Sequence, residues 1–342
     1  MIKTIINILI LSTLLFVSSC KDDAVEPIDS SSKHLKRVLV SNEGNFQQGN
    51  SSLGVYLPDS GIYVDQEFKN QNKIPMGDVL NSVRLIDGNY WCVVNNSGLI
   101  HVVDSATFKI EHTIMGFASP RQVCKASDSK VYVTDLFSGE VSVVSTSTFK
   151  IIGTVKIPGW TEHCLLAGDR VFVTSSERPY VYLIDPNDDQ ITDSIKIGNS
   201  ANSMLRADNA TVLILCEGKW GTSELAGIYN IDPKARQLTN SFEFADGEKP
   251  KLMRQNSVDK KVYLVNTNLY VLNAFGYSVD KKVMDLEAST YAFDIDYQGN
   301  FYIGDPQDFV SKSLIKVYDK DNFTLLKSFA AGINTNGFVF ER

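Results

Sequence analysis

Histidine is scarce in this 342-residue chain: there are four, and none sits in an HExxH or comparable metal-ligand pattern. Cysteine is nearly as sparse, and Cys92, Cys124, Cys164 and Cys216 are far apart, with no CxxC. That spacing excludes a zinc site by pattern. All four lie in apolar strand patterns, so buried thiols are expected. Positive charge is also short, with 33 Lys and Arg against 40 Asp and Glu. An acidic balance disfavours nucleic acid or an anionic membrane surface as main partner. Nucleophile elbows and the sialidase-type SxDxGxTW box are missing. Paired carboxylates brought from distant segments leave no local motif, so glycoside cleavage stays open as a minor alternative. A binding protein is expected, not an enzyme.

Long apolar runs are limited to Ile5–Val17, which is too short to span a bilayer but fits the core of a signal peptide. It ends in Val17-Ser18-Ser19-Cys20, which looks like a bacterial lipobox. The expected organisation is a leader over 1–19, an acylated Cys20, a flexible tether to residue 35 and a folded domain over 36–342. Lys21-Asp22-Asp23 resembles the acidic signal that sends lipoproteins of Bacteroidota to the outer face of the outer membrane. Contact with the membrane is then expected through the lipid alone.

What the chain has in abundance is repetition. An apolar strand ending in a small or polar residue recurs as RVLVSN (37–42), YWCVVN (90–95), KVYVTD (130–135), RVFVTS (170–175), VLILCE (212–217), KVYLVN (261–266) and NFYIGD (300–305). Each is followed by another strand running into a turn, as in LIHVVD (99–104) and YVYLID (180–185), and then by further strands. Four strands per unit of roughly 40 residues is the arithmetic of a propeller blade. The expectation is all-β: a seven-bladed β-propeller of four-stranded antiparallel blades. The chain enters at the second strand of blade 1, and NGFVFER (336–342) supplies the missing inner strand to close the ring. Cys124 and Cys164 share a register in adjacent units and should be neighbours.

In such a ring the loop after each second strand and the loop entering each inner strand open on one face. Candidate ligand-binding residues on that rim are Phe46, Asn95, Asn96, Phe117, Arg121, Phe137, Trp160, Glu162, His163, Arg178, Asn202, Trp220, Asn266, Tyr291, Asp305, Asn334 and Asn336. Amides pair with amides and hydroxyls, and aromatic rings supply contact area at low entropic cost. Each Asn has a second reading, because Asn also fills turns. His163 and Glu162 are adjacent, and strand alternation would point them to opposite sides.

The repeats KVYVTD…GEVSVVSTSTFKIIGTVKI and RVFVTS…VYLIDPNDDQITDSIKIG resemble the YVTN/YncE-type propellers. VLVSNEGNFQQGNSSLGVY, MGDVLNSVRLIDGNYWCVVNNSGLIHVVD and PGWTEHCLLAGDRVFVT resemble more closely the BtuG family, cobalamin-binding propeller lipoproteins of gut Bacteroidota. This resemblance implies capture of cobalamin or a related corrinoid at the cell surface. It also implies hand-over to a TonB-dependent outer-membrane transporter of the BtuB type. Cobalamin would be cargo, and no cofactor or metal is expected. A catecholate siderophore is a polyanion and favours a basic rim, whereas the rim bases here are countered by acids. A glycan suits an amide-and-aromatic rim as well as a corrinoid does.

Overall fold

The computed structural model describes residues 34–208, 210–273 and 277–342. The leader, Cys20 and most of the tether lie outside the described residues. The described residues form seven antiparallel four-stranded sheets, and the fold is a seven-bladed β-propeller. The inner strands are Thr335–Glu341 in blade 1, then Leu80–Ile86, Pro120–Lys125, Thr161–Ala167, Ala201–Arg206, Leu252–Gln255 and Ala292–Ile295 in blades 2 to 7. Each contacts the next around the ring, including the last with the first.

Closure is made as the repeat predicts. The final strand pairs with Arg37–Asn42 through Arg37↔Glu341 to Ser41↔Gly337. Buried Asn42 fastens the seam: its side-chain amide donates to Val40 O and Ser52 O, while its Oδ1 accepts from Thr335 Oγ1 and Gly332 N. Arg37 Nε donates to Glu341 Oε2 at 2.5 Å, so a charge pair locks the same two strands.

Second strands are buried on both faces, which explains their continuous apolar runs. Between blades 2 and 3, Trp91, Val93 and Val102 meet Val123, Val131 and Val133 in one cluster. Truncating a buried aromatic such as Trp91 to Ala would cost roughly 3–5 kcal/mol. Cys92, Cys124, Cys164 and Cys216 are free thiols. Burial and a hydrogen bond with Cys164 push the Cys124 thiol well up, which fits the expected neighbours in blades 3 and 4.

One face carries a repeated turn at the end of the third strand. Asp104, Ser145, Asp185, Asp232 and Asp319 each accept a backbone N–H two or three residues ahead. Four residues on from each, Phe108, Phe149, Asp189, Arg236 and Phe323 adopt left-handed backbone, with φ between 53° and 58°. We refer to this as the lower face. The long interval between blades 1 and 2 holds the α-helix Glu67–Asn72, which buries Phe68. Six residues are too few for helical periodicity to be visible in the sequence.

Candidate functional site

The opposite, upper face is built from irregularity. Near the upper end of the inner strand in five blades the register shifts: at Leu80/Ser82, Pro120/Val123, Thr161/Cys164 and Ala201/Ser203, and at Ser41/Asn42 against the closing strand. Each shift is a bulge, which breaks alternation and re-aims side chains. The displaced residues are Asn81, Arg121-Gln122, Glu162-His163, Asn202 and Asn336. All of them line a cavity of about 460 Å³ at the centre of the ring, together with Glu43, Ser176, Ser200, Glu217, Lys251 and Tyr291. The bulge also overturns the expectation for Glu162 and His163, because both line the same cavity.

The bulges expose carbonyls, and the neighbouring blade satisfies them. Asn336 Nδ2 donates to Leu80 O and Asn81 O at 2.9 Å each. Asn81 Nδ2 donates to Arg121 O (2.6 Å), Thr134 Oγ1 to Glu162 O (2.8 Å) and Asn202 Nδ2 to Pro250 O (3.1 Å). The amides therefore hold the ring while presenting their other atoms inward. Ser176 Oγ and Asn202 Oδ1 are buried with no hydrogen-bond partner among the described residues. Such orphaned atoms are costly unless something pairs with them.

Two acids at the mouth are held by neighbouring side chains. The Arg121 guanidinium grips Glu162 bidentately, at 3.0, 2.9 and 2.8 Å. Glu43 accepts from Tyr291 Oη and Asn336 Nδ2, yet burial outweighs these bonds and raises its pKa above 4.5. Burial lowers the His163 pKa against the pull of Glu162, so its imidazole is held neutral. Burial raises the Tyr291 phenol, and the Glu43 charge adds to that.

Six predicted rim residues thus line the cavity: Arg121, Glu162, His163, Asn202, Tyr291 and Asn336. Phe46, Phe137, Trp160, Trp220 and Arg178 lie outside it on exposed loops of the same face. Among the described residues, the exposed large aromatics are Phe46, Phe137, Trp160, Trp220, Tyr291 and Phe309. Every one belongs to an upper-face loop. Trp220 is 93% exposed, whereas Phe137 and Trp160 pack edge to face at 5.5 Å, as do Tyr291 and Phe309 at 5.8 Å.

The remaining predicted residues hold the loops. Phe117 is buried in the core between blades 2 and 3. Asn95 Nδ2 donates to Ser119 Oγ and Pro120 O, and Asn96 is bonded to Asp78. Asn266 accepts from Lys249 N, Asp305 from Ser289 Oγ and Gln307 N, and Asn334 donates to Gly44 O.

Glu43, Asn81, Gln122, Ser176 and Lys251 are cavity residues that loop-based reasoning missed. The signal available was the short polar head of each inner strand, as in LNS, PRQ, TEH and ANS. Glu43 belongs to the Asn42-Glu43-Gly44-Asn45 segment. Its Gly44 has φ +75°, and a Cβ there would lie 2.3 Å from Asn50 Oδ1, so the turn that presents Glu43 requires glycine. Among the described residues no group of three His, Cys, Asp or Glu could hold a metal ion, and no helix is long and apolar enough to cross a membrane.

Residues 36–219 match the family described as a domain of unknown function, DUF5074. The chain belongs to the DUF5074 family. No curated protein matches it. Among solved structures, a quinonprotein alcohol dehydrogenase-like protein from Bacteroides thetaiotaomicron is similar at 15% identity (TM-score 0.68, 90% of this chain, 78% of that one). A functionally unknown protein from Desulfotomaculum acetoxidans is similar at 12% (TM-score 0.67, 89% and 98%). Virginiamycin B lyase from Staphylococcus aureus is similar at 12% (TM-score 0.60, 75% and 86%). At these identities the likeness shows the DUF5074 chain's fold alone.

Proposed function

We propose that this DUF5074 propeller is a lipid-anchored protein of the outer membrane that captures a corrinoid on its upper face. The observation that carries the reading is the cavity formed by the bulged inner-strand heads, at the centre of the face bearing the six exposed aromatics. Cobalamin is a flat macrocycle fringed with amides and has almost no net charge. Amide fringes match Asn81, Gln122, Asn202 and Asn336, and the unpartnered Ser176 Oγ and Asn202 Oδ1 offer further pairing. The exposed rings supply flat apolar contact around the mouth. Because the loops are cross-bonded from blade to blade, little ordering entropy is left to lose on binding.

Hand-over to a TonB-dependent transporter of the BtuB type completes the proposal, with Cys20 carrying the lipid and the domain facing outward. The reading is tested by calorimetry on the full chain with cyanocobalamin, a ferric siderophore and a panel of glycans. Saturable heat with cyanocobalamin alone is expected. Silence with cyanocobalamin at micromolar protein overturns the corrinoid reading, and heat with a glycan transfers the site to that class. Product released from a glycan would make the protein an enzyme.

A further inference from the structure

Below the mouth, the inner ring carries a cation with no carboxylate in contact. Arg84 projects from the inner strand of blade 2 and is exposed to solvent. Gln122 on the inner strand of blade 3 touches it, and charges on the inner strands of blades 6 and 7, Arg254 and Asp294, act on it from across the ring, so it faces the central channel. Three other bases of the inner ring are paired: Arg121 with Glu162, Arg254 with Asp294 at 3.1 Å, and Lys125 with Asp87 and Asp128. Among the described residues no carboxylate lies within ion-pair distance of Arg84. Its hydrogen-bond contact is Gln122 Oε1, at a long 3.4 Å. Burial and then the like charge of Arg254 push its guanidinium down from its ordinary value, against a smaller upward pull from the Asp294 carboxylate. In a chain of net charge −7, an accessible guanidinium with no carboxylate in contact is a place where an anion is favoured.

We propose that the channel beneath the mouth is an oxyanion site, in which the Arg84 guanidinium fork binds a carboxylate or phosphate group with Gln122 beside it. The planar fork suits two-oxygen recognition, and a point charge would not replace it. Lys251, exposed at the mouth above, adds attraction along the way in. The inference does not rest on the corrinoid reading, since it concerns a functional group and not a whole ligand.

The test is titration of the full chain with inorganic phosphate, and separately with acetate, at constant ionic strength set with chloride. Arg84→Gln, Arg84→Lys and Arg206→Gln are compared with the native chain. Arg206, at the other end of an inner strand, controls for loss of any surface charge. Saturable binding of phosphate or acetate is expected, weakened about tenfold or more in Arg84→Gln, the size of one lost charge-assisted hydrogen bond. Arg84→Lys should fall between, and Arg206→Gln should match the native chain. Phosphate without acetate, or the reverse, identifies which oxyanion the site takes. Unchanged binding in Arg84→Gln with an unaltered melting transition overturns the proposal, as does the absence of saturable binding to either ion.

Discussion

The two faces of the ring are built by opposite rules. On the lower face one solution is repeated: a third strand ends in Asp or Ser, a backbone N–H caps it, and a left-handed residue follows four positions later. On the upper face the repeat is broken by bulges, which displace an Asn in three blades, Arg121-Gln122 in a fourth and Glu162-His163 in a fifth. Carboxylates follow the same division. Backbone and hydroxyl donors hold Asp104, Asp185 and Asp319 below the usual carboxylate range, whereas burial pushes Glu43 above it. Repetition serves the scaffold, and departures from it collect where a ligand would sit.

The largest effect that separates the faces should come from Arg121→Ala. Left half-buried without its partner, Glu162 should destabilise the domain by roughly 1.5–3 kcal/mol in urea unfolding. Lys125→Ala on the lower side, where the partner Asp87 is half exposed, should cost no more than about 1 kcal/mol. Equal losses would break the comparison.

Next in size are the aromatics. Trp160→Ala and Trp220→Ala should each weaken corrinoid binding by about 1–3 kcal/mol in calorimetry. Leu85→Ala and Val258→Ala, exposed apolar side chains toward the lower end of the ring, should leave affinity unchanged. Similar losses from both pairs would remove the argument for one working face.

The smallest effects are in pH dependence, and they have opposite signs. A carboxyl whose folded pKa is raised weakens the fold as pH climbs from 4.5 through that raised value. Glu43→Gln should therefore raise the melting temperature at pH 7, with the gain vanishing below pH 4.5. Asp185 has a lowered pKa, so its contribution is present above pH 3.8 and lost in acid. Asp185→Asn should lower the melting temperature at pH 7 and have no effect at strongly acid pH. Melting curves from pH 3 to 8 would show both trends, and parallel trends would contradict the division.

Blade order and closure were legible because each depends on repetition. KVYVTD and RVFVTS coincide with the strands Lys130–Asp135 and Arg170–Ser175, and residues 336–341 of NGFVFER fall on the closing strand Thr335–Glu341. The candidate site was half legible. Loop position and residue type point to Arg121, Glu162, Asn202 and Tyr291, but equally to Asn95, Asn266 and Asp305, whose side chains stabilise turns. Alternation hides what a bulge does, so Asn81 and Gln122 read as ordinary strand residues and His163 as facing away from Glu162. Glu43 stood in plain view beside a glycine, but its inward turn depends on a backbone geometry that residue type alone does not show.

The central claim is that the upper face is the working face, and hydrogen exchange of the full chain with and without cyanocobalamin tests it most directly. The account predicts slowed exchange at the bulged strand heads, residues 80–82, 120–123, 161–164, 201–203 and 335–337, with the turns after Asp104, Asp185 and Asp319 unchanged. Protection confined to those lower turns, or none at saturating cyanocobalamin, would contradict it.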